Sequence, residues 1–460
     1  MLTSLSKTKS GIATLILLST LPFSTFGHAQ PENDSHAKLD IKIGQAIFEK
    51  LWVFAPASTK SSDGLGPLYN ASSCQQCHHQ QGQLKNNQDS SLVIQLSIEP
   101  AIPVESSTLF LTKYGFIPEP VYGKQLQTFA YPGGKAEATI SVTHTNSTFI
   151  FEDGDKVNLK QPKVEFSNLG YGPLSKDLRF SPRIAPRIMG LAWIDSLPAE
   201  SILANADPED LNQDGISGKA NWVWNKAEQK VDLGRFGWKA SKATLDQQNL
   251  AALATDIGIS SWLFPQAEGD CTLNQTACIE LARQTETHLK QSPAIGYEAT
   301  KEMTDLLLLF TASHGNTQIA NTQTQQKASQ LHGEKLFKQI GCQTCHISHY
   351  DNVVNKYEND MIPGTFSPYS DLLLHDMGEA LSDHRNEFLA TGREWRTAPL
   401  WGISKYLAES PNPAFLHDGR ASSIIEAILW HDGEAASAKQ AFTNLSKENR
   451  QHLIQFVESL

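Results

Sequence analysis

Apolar positions along the chain change their spacing several times, and each change predicts an element. Gly44-Gln45-Ala46-Ile47-Phe48 opens a short amphipathic helix that continues to Trp52. Over residues 91–167 the spacing becomes strand-like. Leu92-Val93-Ile94-Gln95-Leu96-Ser97-Ile98, Ala138-Thr139-Ile140-Ser141-Val142 and Thr148-Phe149-Ile150-Phe151 read as strands. Glu152-Asp153-Gly154-Asp155 reads as the hairpin turn into Lys156-Val157-Asn158-Leu159. Helical spacing resumes near residue 181, and 303–312, with Leu306 to Phe310 at its centre, reads as a buried helix. Residues 30–37 are polar and read as disordered. Residues 313–328, rich in Gln, Thr, Asn and Ala, read as a linker.

The patterns also repeat. Gly44-Gln45-Ala46-Ile47-Phe48 has a counterpart in Gly333-Glu334-Lys335-Leu336-Phe337, both of the form G-x-x-[IL]-F. Arg183-Ile184-Ala185-Pro186 is echoed by Arg396-Thr397-Ala398-Pro399. Phe236-Gly237-Trp238-Lys239-Ala240 parallels Phe415-Leu416-His417-Asp418-Gly419. Two diverged halves are therefore expected.

Each half carries one C-x-x-C-H: Cys74-Gln75-Gln76-Cys77-His78 and Cys342-Gln343-Thr344-Cys345-His346. Two thiols at this spacing can each bond one vinyl group of a porphyrin, and the adjacent histidine then coordinates the iron. The pattern predicts two covalently bound haem c groups, on Cys74 and Cys77 and on Cys342 and Cys345, with His78 and His346 as proximal iron ligands. A zinc site or a redox dithiol is the competing reading of such pairs.

With haem placed, the fold class expected is mainly α: two cytochrome c-like haem domains with a β-rich insertion in the first. The divisions are 1–29, 30–90 (start of the N-terminal domain with the first motif), 91–180 (insertion), 181–312 (remainder of that domain), 313–328 (linker) and 329–460 (C-terminal domain).

Composition adds the compartment. Hydrophobic residues make up 40% and charged residues 19%, ordinary for a globular protein. A net charge of −11 gives no footprint for nucleic acid. Lys7 and Lys9, the uncharged apolar run 11–21 and Gly27-His28-Ala29 read as a signal peptide with cleavage before Gln30. Losing the two lysines and no acid takes the charge from −11 to −13. No later segment is apolar for long enough to span a membrane. Cys271 and Cys278, outside both motifs, read as a local disulfide in an oxidising compartment. The Gram-negative periplasm fits all of these.

Asp210-Leu211-Asn212-Gln213-Asp214-Gly215 matches the opening of a calcium loop, with Asp210, Asn212 and Asp214 as oxygen donors. The twelfth position is Asn221, not the bidentate glutamate of an EF-hand, and an Asx-rich turn is the competing reading.

From residue 44 to the C-terminus the chain resembles the di-haem oxidoreductases labelled thiol oxidoreductases, a branch of the bacterial di-haem cytochrome c peroxidase and MauG superfamily. The resemblance rests on Gly64-Leu65-Gly66-Pro67, Asp210 to Gly218 and Gly234-Arg235-Phe236-Gly237-Trp238-Lys239-Ala240. It also rests on Pro368 to Gly378, Phe415-Leu416-His417-Asp418-Gly419-Arg420-Ala421 and Trp430-His431-Asp432-Gly433. The "thiol" label gains no support, since both C-x-x-C pairs are used for haem.

The resemblance implies a low-spin C-terminal haem that relays electrons and an N-terminal haem that reacts with peroxide. It places the distal ligand of the C-terminal haem fourteen residues after His417, at His431. Met377, in a glycine-bounded loop, is the alternative iron ligand. At the N-terminal haem it implies Trp238 between the haems, Gln248 ten residues later as a distal amide, and Asp256 as the nearby acid. His79 reads as a surface or supporting residue, and Trp193 as an alternative aromatic bridge. His417 is expected to organise its surroundings by hydrogen bonding, and Arg183, Arg396 and Arg420 are candidates to pair with haem propionates.

The expected partners are a soluble periplasmic electron donor or acceptor of the cytochrome or cupredoxin class and a small oxidant such as peroxide. The alternative is a non-enzymatic di-haem electron carrier, for instance a redox partner in metal uptake. A third reading is MauG-like oxidation of a protein substrate.

Overall fold

The structure, a computed structural model, describes residues 31–55, 57–58, 62–78, 92–99, 107–291, 296–314, 328–357 and 363–460. The predicted signal peptide, most of the linker and His79 lie outside the described residues. Asp40–Leu460 form one compact unit, and the start of the Pro31–Glu49 helix, up to Leu39, belongs to another.

The protein is not the mainly α pair of cytochrome c-like domains that the pattern predicts. It is 34% helical and 21% strand, with the strands in many small sheets. Several of these strands are two to five residues long, such as Leu374–Asp376 paired with Glu394–Arg396 and Tyr350–Val354 paired with Pro363–Phe366. Strands so short carry no readable periodicity. The largest strand pair, Thr139–Ile150 against Lys156–Ser167, is a ribbon exposed over most of its length. Exposure on both faces lets polar residues fill its middle, so the sequence pattern broke one long strand into two.

The G-x-x-[IL]-F repeat has a structural cause. Both glycines sit where two helices cross at contact distance. A Cβ on Gly44 would lie 2.1 Å from the Leu306 carbonyl oxygen in the Lys301–Ser313 helix. A Cβ on Gly333 would lie 2.1 Å from the His452 carbonyl oxygen in the Lys447–Glu458 helix. Four residues on, each phenylalanine reaches the following motif. The Phe48 ring lies 5.9 Å from that of His78, and Phe337 lies 6.2 Å from His346. Each half thus uses the same device: a glycine for close helix packing, and an aromatic on the same face that walls the histidine.

The segment 91–180 contributes more than a surface ribbon. Gln125–Leu126, Leu92–Ile98 and Leu178–Ile184 form a three-stranded antiparallel sheet. Leu92, Ile94 and Leu96 are buried on one side of it with Tyr122, Leu126, Ala138 and Ile140. The last strand runs directly into Ala185-Pro186-Arg187 and so aims that tripeptide at both motifs. The ribbon tip reaches the C-terminal half, where Phe151 packs on Phe442 and Arg450 pairs with Asp153 at 2.6 Å.

Candidate functional site

Cys342–Thr344 form one 3-10 turn entered from Gly341, which has φ 91°. Cys342, Cys345 and His346 line a cavity of about 320 Å³. Leu381, Leu400, Ile403, Phe415 and Ile428 contribute to its apolar wall, and His431, Met377, Trp238 and His417 also face it. The residues that sequence reasoning offered as alternatives for one iron position are therefore brought to one cavity.

The histidine rings are set by backbone carbonyls. His346 Nδ1 lies 2.8 Å from the Tyr369 oxygen, and His431 Nδ1 lies 2.7 Å from the Ala427 oxygen. A carbonyl only accepts, so Nδ1 carries the proton and Nε2 presents a lone pair. This is the supporting arrangement found behind metal-bound histidines. Burial holds His346 down at about 4, against the Tyr369 carbonyl bond, which raises it. His431 is likewise lowered by burial. Met377 has no comparable tether at its side chain; its backbone N–H donates to the Arg393 carbonyl.

His375 has the opposite character. Its Nε2 is 2.8 Å from Asp371 and its Nδ1 2.6 Å from Glu434, with Cys345 Sγ at 3.7 Å. Burial opposes its charge, but the bonds to Asp371, Cys345 and Glu434 outweigh burial and raise its pKa well above the ordinary range. With both nitrogens engaged it is a buried imidazolium, although Cys345, Asp371 and His375 lie close enough to hold a metal ion. Glu434 also accepts from the Ser217 backbone at 3.0 Å and the Ser217 hydroxyl at 2.7 Å. It thereby ties the loop before Gly218 to this cavity.

Of the three arginines expected to meet propionates, two are already occupied. Arg183 pairs with Glu387 at 2.9 Å and Asp383 at 3.3 Å, in a buried cluster with Arg385 and Lys239. Arg420 grips Asp418 at 2.7 and 2.8 Å. Arg396 differs. Its Nε donates to the Gly237 carbonyl at 3.0 Å, while Nη1 is buried and has no partner among the described residues. Arg187, which sequence reasoning passed over, shares this state: Nη2 donates to Pro399 O at 2.8 Å and Nη1 is buried without a partner. Both arginines face the cavity. Burial lowers the pKa of each to about 10.

Cys74–His78 form one helical turn in the first half. His78 Nδ1 lies 3.2 Å from the Pro186 oxygen, repeating the tether seen at the second motif. Burial holds His78 at about 4 and pushes the Cys74 and Cys77 thiols up to about 12, with Asp256 adding to the latter. Thiols this reluctant to ionise are poor redox nucleophiles. Neither motif pair is disulfide-bonded.

Asp256 lies in a π-helical turn, Leu253–Ile257, that continues the Leu245–Ala252 helix. Such turns are rare and recur at functional positions. The turn is stitched to the loop before the first motif: Gly66 N donates to Ile257 O, and Asn70 N and Ala71 N donate to Asp256 O. Gly66 and Gly258 pack backbone to backbone, where a Cβ on Gly66 would meet the Gly258 Cα at 2.6 Å. This contact accounts for Gly64-Leu65-Gly66-Pro67. The Asp256 carboxyl accepts from Gln125 Nε2 at 2.6 Å. Burial raises its pKa to about 6, against the Gln125 bond, which lowers it. Gln125 belongs to the β-rich segment, which sequence reasoning left without cofactor chemistry; no spacing marks it.

Gln248 lies beside Gly237, the residue before Trp238: a Cβ there would lie 3.7 Å from Gln248 Oε1. Trp238 Nε1 donates to the Ile184 carbonyl at 2.8 Å, two residues before the Pro186 carbonyl that tethers His78. It also faces the second cavity. Asp256 is engaged elsewhere, by Gln125 and the first motif's loop. Trp193 is stacked on Phe366 at 5.8 Å. His417 is stacked on Trp395, with centroids 3.7 Å apart; its Nε2 lies 3.8 Å from Asp418 Oδ2 and its backbone carbonyl accepts from Ile184 N at 2.8 Å.

In the Asp210 loop the oxygens are used by the turn itself. Asp210 accepts from Gly215 N, Asn212 from Asp214 N, and Asp214 from Ile216 N. Asn221 points elsewhere, donating to the Lys239 and Glu387 carbonyls.

Residues 5–460 match the family described as "Di-haem oxidoreductase, putative peroxidase", and the chain belongs to that family. No curated protein and no solved structure matches it. Membership implies haem cofactors, and the residues fit them: an apolar cavity, carbonyl-tethered histidines, and Arg187 and Arg396, each with a buried Nη1 that has no partner among the described residues. Among the described residues no helix is long and apolar enough to cross a membrane.

Proposed function

We propose that this member of the di-haem oxidoreductase family carries two covalent c-type haems and reduces peroxide at the one held by His78. Covalent attachment is through Cys74 and Cys77 and through Cys342 and Cys345. The observation that carries the reading is shared by His78, His346 and His431. Each is half-buried, donates its Nδ1 proton to a backbone carbonyl and keeps Nε2 without a partner among the described residues. His346 and His431 would hold the second iron, with Met377 packing in the same cavity.

The haems supply iron that exchanges electrons and, at the first site, binds the oxidant. The chain's own residues do the rest. Asp256 accepts a proton from the peroxide and returns one to the leaving oxygen; a carboxyl near pH 6 suits both steps. Gln125 holds it in place. Trp238 lies between the carbonyl strand that tethers His78 and the second cavity, which supports its role as the aromatic bridge for electrons. Export to the periplasm and an electron donor of the cytochrome or cupredoxin class belong to the same proposal. Cys271 and Cys278, with Cα atoms 6.3 Å apart, suit a disulfide in that compartment.

Electron paramagnetic resonance of the oxidised and half-reduced holoprotein, with and without peroxide, tests this. One low-spin haem should persist throughout, while the other becomes high-spin or readily ligated and changes on mixing with H₂O₂. Two six-coordinate low-spin haems, inert to peroxide and cyanide in both redox states, would overturn the enzymatic reading in favour of an electron carrier. Mass spectrometry should find two covalent haems.

A further inference from the structure

We infer that Arg187 and Arg396 form a carboxylate clamp for the propionates of the second haem, and that Arg187 joins the two redox centres through the Pro186 peptide. This rests on the haem reading above. The first observation is a missing acceptor. Both guanidinium groups face the same cavity, each oriented by a backbone carbonyl, and each has a buried Nη1 with no partner among the described residues. Neither forms a salt bridge among the described residues. Asp371 favours the Arg396 charge from beyond salt-bridge distance, but a buried guanidinium N–H with no bonded acceptor is costly, and the other buried arginines of this region, Arg183, Arg385 and Arg420, all have bonded carboxylates. The ligand of this cavity must therefore be apolar in bulk and bring its own anions. A tetrapyrrole held by Cys342 and Cys345 carries two carboxylates, one for each arginine.

The second observation is where Arg187 sits. The carbonyl of Pro186 tethers His78, and the next residue reaches the second cavity. Arg187 in turn donates to Pro399, the counterpart of Pro186 in the repeated R-x-A-P motif. The two copies of that motif thus cross-brace each other, and one peptide unit links the first haem's ligand to the second haem's edge. A cation at that edge favours the reduced haem and so raises its potential.

The holoprotein variants Arg187→Gln, Arg396→Gln and Arg187→Lys test the clamp. Mass is measured first: a chain with no haem at Cys342 and Cys345 refutes the haem reading itself. With haem attached, spectroelectrochemical titration should show each glutamine variant lowering the second haem's reduction constant about tenfold, about 59 mV for one electron. Arg187→Lys should stay close to the unmodified protein. Glutamine variants that titrate with the unmodified midpoint overturn the clamp. Should a glutamine variant not fold, resonance Raman spectra of the unmodified protein decide. Propionate bending bands that shift in D₂O support bonded N–H donors, and bands that do not shift overturn them.

Discussion

Replacing Gln125 by Leu isolates the contribution of the β-rich segment to the proposed chemistry. Gln125 is buried, and its amide donates to Asp256 at 2.6 Å. Burial has already raised the Asp256 pKa to about 6, and this bond restrains the rise. A hydrogen bond to a charged group contributes about 1.5–3 kcal/mol. At about 1.4 kcal/mol per pKa unit, its loss moves Asp256 upward by about 1–2 units. The ionised carboxylate is the base, so peroxidase kcat/KM should rise with pH, and the midpoint of that rise should move from about 6 to about 7–8. Gln95→Leu, which removes only the amide donating to Gln125 Oε1, should move the midpoint less than Gln125→Leu. The stability sign is separate and checkable. A folded pKa above the ordinary 3.8 means Asp256 favours the fold below pH 4, and that contribution is lost as pH rises through about 6. Gln125→Leu should therefore lower the denaturant midpoint at pH 8 more than at pH 4. An unmoved acid limb, or one moved to lower pH, would refute the assignment of Asp256 as the base.

His431→Met should raise the potential of the second haem and change its low-spin spectrum, read by redox titration; an unchanged spectrum would remove His431 as ligand. Gly333→Ala puts a Cβ 2.1 Å from a backbone oxygen and should cost about 1–3 kcal/mol in denaturant unfolding, whereas Lys335→Ala on the same helix should cost little. Lys239 is fully buried, and its ammonium is bonded to Asp383 and to the Arg385 and Thr391 carbonyls. Lys239→Met should destabilise by about 3–5 kcal/mol, with part recovered in Lys239→Met/Asp383→Asn.

Much of the site was legible because its chemistry is local in sequence. The two C-x-x-C-H runs are legible because the proposed attachment places both thiols and the histidine on one porphyrin and so needs residues close in sequence. The repeated glycine and phenylalanine were legible because one helix face carries both, and the structure turns the likeness into matching helix crossings beside His78 and His346. The fold class was misread for a related reason: short strands and an exposed ribbon leave no periodic trace, and local helical patterns dominated the reading.

By itself the sequence determined where the two C-x-x-C-H motifs lie, that each follows a G-x-x-[IL]-F run, and which residues, His431 and Met377, were candidates for one position. Only the tertiary structure decided which groups share a cavity and which charges are already satisfied. Arg183, Arg187, Arg396 and Arg420 look alike as residues. Asp383 and Glu387 occupy the first and Asp418 the last, while Arg187 and Arg396 are left facing the cavity. Gln125 and Asp256 are 131 positions apart and meet through a sheet edge and a π-helical turn. The physical reason is the same in both cases. A buried charge is defined by the groups within a few ångströms of it, and distance along the chain does not record them.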